Sequence, residues 1–136
     1  MYITLESDYA IRIVSCLASE KQRLDAKTIA EKACVSLRFS LKILRKLVSA
    51  GIIKSFKGIQ GGYELKKAPA DISLKDIIET IEGEYMLNRC LDSDYLCSRG
   101  KSGECIFQDA FKEVSTLVNK KLEGYTFDKL KEENNN

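Results

Sequence analysis

Apolar residues recur at every third or fourth position near the start of the chain, which is the spacing of an amphipathic helix. Tyr9, Ile13 and Leu17 belong to this stripe and predict a helix over residues 5–19, with Thr4 as its N-cap. A polar break follows, and the apolar spacing then resumes in a shorter predicted helix.

A tight turn separates this shorter helix from a third one. The turn is predicted at Cys34, and Ser36 is a good N-cap for a helix over residues 36–50 that ends before Gly51. The apolar residues predicted to form its buried stripe are Leu37, Leu41, Leu44, Leu47 and Val48.

The apolar period then changes from helical to extended. Residues 52–57 and 63–65 predict two short strands, and the glycine-rich segment 58–62 predicts the turn between them. Helix, tight turn, helix and hairpin in this order indicate a winged helix-turn-helix, which is a mainly α fold with a small β-hairpin wing. In helix-turn-helix proteins, the second helix of the motif enters the major groove of DNA.

The C-terminal half is predicted to be helical again. A helix is expected from the N-cap Ser73 to Gly83, and residues 84–104 show no period and predict a long loop. Residues 105–123 carry an apolar stripe along about five helical turns. This stripe is too long for so small a domain to cover, so we expect the helix to be the dimerisation helix of a homodimer.

The predicted organisation is one domain in two regions. Residues 1–66 form a winged helix-turn-helix DNA-binding region, residues 67–130 add a helix, a cysteine loop and the dimerisation helix, and residues 131–136 form a disordered polar tail. No apolar run approaches a membrane span and the N-terminal residues lack an export signal. We therefore expect a cytoplasmic protein with no membrane partner.

Positive charge is concentrated in the first half of the chain. Residues 1–65 carry eleven Lys or Arg against six Asp or Glu, whereas the whole chain has a formal net charge of only +2. Residues 32–63 hold seven cationic side chains and no acidic one. Such a face indicates a polyanionic partner, here double-stranded DNA, although a solvated lysine-rich face is the other interpretation. The predicted DNA-binding residues are Thr28, Ser36, Arg38, Ser40, Lys42, Arg45, Lys54, Lys57 and Gln60.

The sequence contains no histidine. This excludes hydrolases that depend on a histidine base and metal sites that need a histidine ligand. No nucleophile–base pair or phosphate-binding loop can be assembled either, so we predict that the protein is not an enzyme.

The five cysteines fall into two groups. Cys16 and Cys34 belong to the first helix and to the tight turn, and both are predicted to be buried. Cys90, Cys97 and Cys105 are separated by six and seven residues in the long loop and at the start of the last helix. In a chain without an export signal, such thiols are metal ligands, redox groups or incidental. Three thiolates are one ligand short of the four that zinc or an iron–sulfur cluster normally takes.

Motifs along nearly the whole chain resemble those of the Rrf2 family of bacterial transcription regulators, the group that contains IscR, NsrR and CymR. They are the three-cysteine loop and residues 8–12, 29–31, 57–63, 72–83 and 126–130. The resemblance implies a homodimer with a winged helix-turn-helix and a long dimerisation helix. It also implies a DNA-binding regulator, which we expect to be a repressor acting at a pseudo-palindromic operator.

Cysteine-bearing members of that family hold an iron–sulfur cluster at three loop cysteines, so the resemblance assigns a 2Fe–2S or 4Fe–4S cluster to Cys90, Cys97 and Cys105. IscR-like members take a fourth ligand from a histidine at the position of Gln108, whereas NsrR-like members use an aspartate of the other subunit, which corresponds to Asp8. A plain acid at a helix N-terminus is the other interpretation of Asp8. The cluster can also be absent from purified protein.

Two departures from the family pattern bear on function. The cysteine spacing is wider than is usual in the family, which leaves the type of cluster open. Leu41 stands where IscR carries a glutamate in its recognition helix, so the operator preference of IscR is not transferred. The alternative function is a regulator of the same family without a cluster, controlled by a partner protein or by thiol or zinc chemistry.

Overall fold

The computed structural model of the protein describes residues 1–131, which form five α-helices and one two-stranded sheet. The helices are α1 (Leu5–Glu20), α2 (Ala26–Ala33), α3 (Leu37–Ser49), α4 (Leu74–Glu82) and α5 (Ile106–Glu123), and the strands are β1 (Ile53–Phe56) and β2 (Gly62–Leu65). Short 3-10 helices precede and follow α4, at Pro69–Asp71 and Arg89–Leu91. The predicted mainly α fold with a β-hairpin wing is confirmed.

Each of the first four helices begins at a residue whose side chain caps the helix N-terminus. The side chains of Thr4, Asp25 and Ser36 each accept a hydrogen bond from the backbone N–H three residues further on. The hydrogen bond from the backbone N–H of Thr28 holds the pKa of the Asp25 carboxyl below its usual range. Ser73 and Asp76 form a reciprocal capping box at the start of α4. Local sequence signals therefore fix where these helices begin.

One core joins the helix-turn-helix to α4. α1 lies at its centre and contacts α2, α3 and α4. Phe127, from the segment after α5, is buried in the same core. The largest buried side chains from the helices are Ile13, Val14, Ile29, Ile43, Leu44, Leu47 and Ile77. Burial of these aliphatic side chains is the main force that holds the helices together.

The buried face of α3 differs from the predicted one in its first turns. Leu37 and Leu41 are 45% and 40% exposed, whereas Ser40 is fully buried together with Ile43 and Leu44. Two neighbouring stripes on this helix satisfy the same helical period, one through the leucines and one through Ser40. The packing of α3 across α1 determines that the second stripe is buried. This packing is tertiary structure, which the local sequence pattern does not encode.

The wing is an antiparallel hairpin whose register runs from Ile53 opposite Leu65 to Phe56 opposite Gly62. Leu24, in the α1–α2 connection, forms a β-bridge with β2. Gly62 permits this close approach, because a Cβ at that position would lie 2.5 Å from the carbonyl oxygen of Leu24. The wing is thereby attached to the helical body.

The segment after α5 turns back onto α4. The backbone N–H of Leu74 donates to the carbonyl oxygen of Tyr125 at 2.9 Å, and the N–H of Phe127 donates to the carbonyl of Ile72 at 3.0 Å. These bonds attach the C-terminal end of α5 to the core. The rest of α5 projects along α4 and the cysteine loop.

The predicted regional boundary between residues 66 and 67 stays a prediction. The predicted tail at 131–136 lies outside the described residues apart from its first position. Within residues 1–131, every helix is too short or too polar to traverse a bilayer.

Candidate nucleic-acid interface and thiol pocket

The outward face of α3 is cationic. Arg38, Lys42 and Arg45 are exposed along it and border a shallow groove of about 690 Å³. Leu37 and Leu41 line the same groove. The structure therefore brings the three predicted cations of this helix onto one accessible surface.

Three other predicted DNA contacts are buried, half-buried or engaged in a helix cap. Ser40 is fully buried, so the prediction that it lies on the polar side of α3 is wrong. The hydroxyl of Ser36 is exposed but accepts the capping hydrogen bond of α3. Thr28 is half-buried in α2, and its N–H donates to Asp25.

One carboxylate from α1 interacts with two lysines of α3. The Nζ atoms of Lys46 and Lys42 lie 2.7 and 3.8 Å from the carboxylate oxygens of Glu6. Lys42 is the more exposed of the two lysines and has the longer contact. It therefore stays available to a phosphate, whereas Lys46 serves the contact between the helices.

The wing exposes the remaining predicted contacts, Lys54, Lys57 and Gln60. Arg23, which helps to orient this hairpin, is not among the residues that the sequence predicted for the site. Its guanidinium lies 3.3 Å from the centroid of the Phe56 ring and donates to the backbone carbonyl of Gln60 at 3.0 Å. The residue lies within the polar break after the first helix, where no periodic pattern exists, so the sequence holds no signal for its role.

The three loop cysteines line a single pocket. Cys90, Cys97 and Cys105 are all half-buried around a cavity of about 240 Å³, and Cys105 is the N-cap residue of α5. Backbone N–H groups of Lys101 and Arg99 hydrogen-bond to the sulfur of Cys97 and lower the pKa of that thiol. Within residues 1–131, no three Cys, Asp or Glu side chains adopt an arrangement able to hold a metal ion. Three thiols are suitable ligands for iron, but their sulfur atoms are not arranged here as the ligands of one metal ion.

A polar stripe on α5 holds the loop that carries these thiols. Gln108 donates to the carbonyl oxygen of Cys90 at 2.6 Å and accepts from the N–H of Gly103 at 2.8 Å. Ser115 accepts from the backbone of the loop, and Asn119 donates to it. Their spacing of seven and four residues puts the three side chains on one face of the helix. This polar stripe was not predicted, because the apolar stripe of α5 dominates its sequence pattern.

Asp8 does not line the thiol pocket of its own chain. It lies in the first turns of α1, where its carboxylate is 2.8 Å from the guanidinium of Arg12. Both side chains are more than two-fifths exposed. The carboxylate is therefore accessible from outside the chain.

The two remaining cysteines differ in environment. Cys16 is half-buried on α1, and burial together with the charge of Glu20 raises the pKa of its thiol. Cys34 is exposed at the left-handed C-cap of α2, with a φ of 56°. The prediction that Cys34 is buried is therefore wrong. Val35, the next residue, turns inward in its place.

A winged helix-turn-helix with a cationic second helix and a cationic wing defines a DNA-binding transcriptional regulator. The family model for Rrf2, described as an iron-dependent transcriptional regulator, matches residues 3–133. The chain therefore belongs to the Rrf2 family. This membership confirms that the protein is a transcriptional regulator and not an enzyme.

Relatives and solved structures agree with this assignment. The chain is 26% identical to the HTH-type transcriptional regulator NsrR of Bacillus licheniformis over 92% of its own length and 83% of that protein. An oxidised form of CymR from Staphylococcus aureus superimposes with a TM-score of 0.74 and 25% identity over the whole of both chains. IscR from T. potens gives a TM-score of 0.73 at 24% identity, over 95% of this chain and 85% of that one.

Proposed function

We propose that the protein is a cytoplasmic homodimeric repressor whose affinity for a pseudo-palindromic operator depends on an iron–sulfur cluster at Cys90, Cys97 and Cys105. DNA binding follows from the family. The cytoplasmic location, the dimer, the repression and the cluster are the proposed parts, and the exposed apolar face of α5 and the loop thiols support the dimer and the cluster.

The DNA contacts are assigned to α3 and the wing. Arg38, Lys42 and Arg45 project from the exposed face of α3, where arginines can pair with guanine edges and all three can pair with phosphates. Lys54 and Lys57 extend the cationic surface onto the hairpin. A two-fold dimer would place two such surfaces one or more helical turns apart on the duplex, which is why the operator should be pseudo-palindromic.

The observation that carries the cluster proposal is that all three loop thiols line one pocket. Thiolates are the usual ligands of iron in such clusters, and the lowered pKa of Cys97 favours the required thiolate form. A fourth ligand must come from elsewhere, and the exposed carboxylate of Asp8 in the partner subunit is our candidate. A bound cluster supplies iron chemistry that responds to oxidants. The chain's part is to hold the loop against α5 through Gln108.

Anaerobic reconstitution with ferrous iron and sulfide tests this proposal. The expected result is a brown protein with visible absorbance and matching iron and sulfide contents, and operator affinity that changes when the cluster is removed. Cys97→Ser should lose the colour, whereas Cys34→Ser, an exposed thiol outside the pocket, should keep it. A colourless protein with full operator affinity would contradict the cluster proposal. Asp8→Ala should weaken cluster retention without abolishing the dimer, and unchanged spectra would remove Asp8 as a ligand.

A second candidate is a regulator without a cluster, controlled by a partner protein or by thiol or zinc chemistry. It is favoured by the likeness to CymR, which is described in Bacillus subtilis as the global cysteine regulator. The separated positions of the loop thiols within residues 1–131 agree with it as well. Under this alternative, the reconstituted protein would stay colourless, and either zinc or a disulfide between two loop cysteines would alter operator binding.

A further inference from the structure

Two exposed leucines lie within the cationic face of the recognition helix. Leu37 is the first residue of α3 and Leu41 lies one turn further on, and they are 45% and 40% exposed. Both line the groove bordered by Arg38, Lys42 and Arg45. Aliphatic side chains in contact with water lose the free energy that burial provides, so a partner that covers them gains affinity.

The charge around these leucines indicates what covers them. α3 contains no acidic residue between Leu37 and Ser49, and its three exposed cations line the same groove as the two leucines. The carboxylate of Glu6 pairs with Lys46 at 2.7 Å and contacts Lys42 only at 3.8 Å. Two apolar side chains next to three cations are complementary to a DNA duplex, in which phosphates border a groove that contains methyl groups.

The major groove offers one apolar feature, the C5-methyl group of thymine. Residues near the N-terminus of a recognition helix are those that reach base edges, and Leu37 and Leu41 occupy the first two turns of α3. Side chains four residues apart are separated by about 6 Å along a helix. Base pairs stack about 3.4 Å apart, so the two leucines span neighbouring or next-neighbouring steps.

We propose that Leu37 and Leu41 read the methyl groups of two closely spaced thymines in each operator half-site. The inference rests on the proposed use of α3 in the major groove and adds the base that it selects. Both residues contribute to specificity, whereas Arg38, Lys42 and Arg45 provide affinity for the backbone and for guanine.

Selection of binding sites from a random duplex pool, followed by replacement of single thymines with deoxyuridine, tests the proposal. Deoxyuridine keeps every hydrogen bond of thymine and lacks only the methyl group. Wild-type protein should select half-sites with two close thymines and lose about three- to tenfold in affinity for each methyl removed there. Leu41→Ala should bind the thymine and deoxyuridine duplexes equally at the position that Leu41 reads.

Ile59→Ala is the matched control, because Ile59 is a fully exposed aliphatic residue at the wing tip, away from the groove on α3. This variant should keep the full dependence on the methyl groups. If the selected duplexes bind tightly and no single methyl matters, the thymine proposal is wrong while DNA binding stands. If the pool yields no binding sequence even at low ionic strength, the proposed use of α3 fails and the thymine proposal fails with it.

Discussion

At the scale of single residues, Ser40 shows how a correct helix can carry a wrong assignment. Its polarity predicts a DNA contact, yet the side chain is fully buried and its hydroxyl has no hydrogen-bond partner among the described residues. A buried hydroxyl without a partner costs free energy. Its presence in the core therefore reflects the space available there, and a small apolar residue should serve as well.

Replacing Ser40 with alanine tests this interpretation. The free energy of unfolding should rise by up to about 1 kcal/mol, because the unpaired hydroxyl is removed and alanine favours helix. Urea denaturation measures the change, and affinity for duplex DNA should be unaffected. Ser49→Ala, at an exposed position of the same helix, controls for helix propensity alone. A clear loss of stability or DNA affinity in the Ser40 variant would contradict the assignment.

Gln108 provides a second residue-scale prediction. Its side chain joins the carbonyl oxygen of Cys90 to the N–H of Gly103, so it connects the two ends of the cysteine loop. Gln108→Ala should accelerate hydrogen exchange at the Gly103 amide and increase the mobility of the loop. Gln108→Glu keeps the acceptor for Gly103 and loses the donor to Cys90, so it should retain most of the protection at Gly103. Equal exchange rates in the wild type and the alanine variant would exclude the connection.

At the scale of elements, the helix starts and the buried faces of α1, α2 and α4 were predictable, whereas the buried face of the first turns of α3 was not. The caps at Thr4, Ser36 and Ser73 are local patterns, and each cap is made in the structure. Which stripe of α3 becomes buried depends on how it crosses α1, which no local pattern encodes. The same limit explains Cys34, whose exposure depends on how the chain turns between α2 and α3.

Besides the β-bridge of Leu24, the wing is held by contacts of Arg23, which lies outside the hairpin. Arg23→Ala removes both the contact with the Phe56 ring and the hydrogen bond to Gln60. We expect the free energy of unfolding to fall by about 1–2 kcal/mol, and affinity for DNA to fall because the hairpin is less well oriented. Arg23→Lys keeps the charge and should restore little, since lysine lacks the planar fork. Full DNA affinity in the alanine variant would show that the wing orients itself.

At the scale of the whole molecule, α5 leaves an apolar surface uncovered. The residues exposed on it include Ile106, Phe107, Val114 and Leu117. The length of the apolar stripe predicts such an uncovered surface, and the structure agrees. The polar stripe of α5 was not anticipated, because its purpose becomes visible only once the cysteine loop is placed beside it.

Leu117→Glu tests the proposed dimer. Leu117 is 62% exposed, so the substitution costs the isolated chain little, but it would bury a charge in an interface formed by α5. Light scattering should give the mass of a dimer for the wild type and of a monomer for the variant. Lys112→Glu, an exposed change of charge elsewhere on α5, should leave the dimer intact. A monomeric wild type would contradict the proposal outright.

The proposed binding of duplex DNA by α3 and the wing depends on the positive charge of these two elements. Fluorescence anisotropy of a labelled duplex, titrated at several salt concentrations, tests it most directly. If the dimer neutralises about 6 to 10 phosphates, affinity should fall by about a thousandfold or more between about 50 and 200 mM salt. Arg45→Ala should make the affinity less dependent on salt concentration, because one phosphate contact is lost. Absence of binding at low ionic strength, or an affinity independent of salt, would contradict the account.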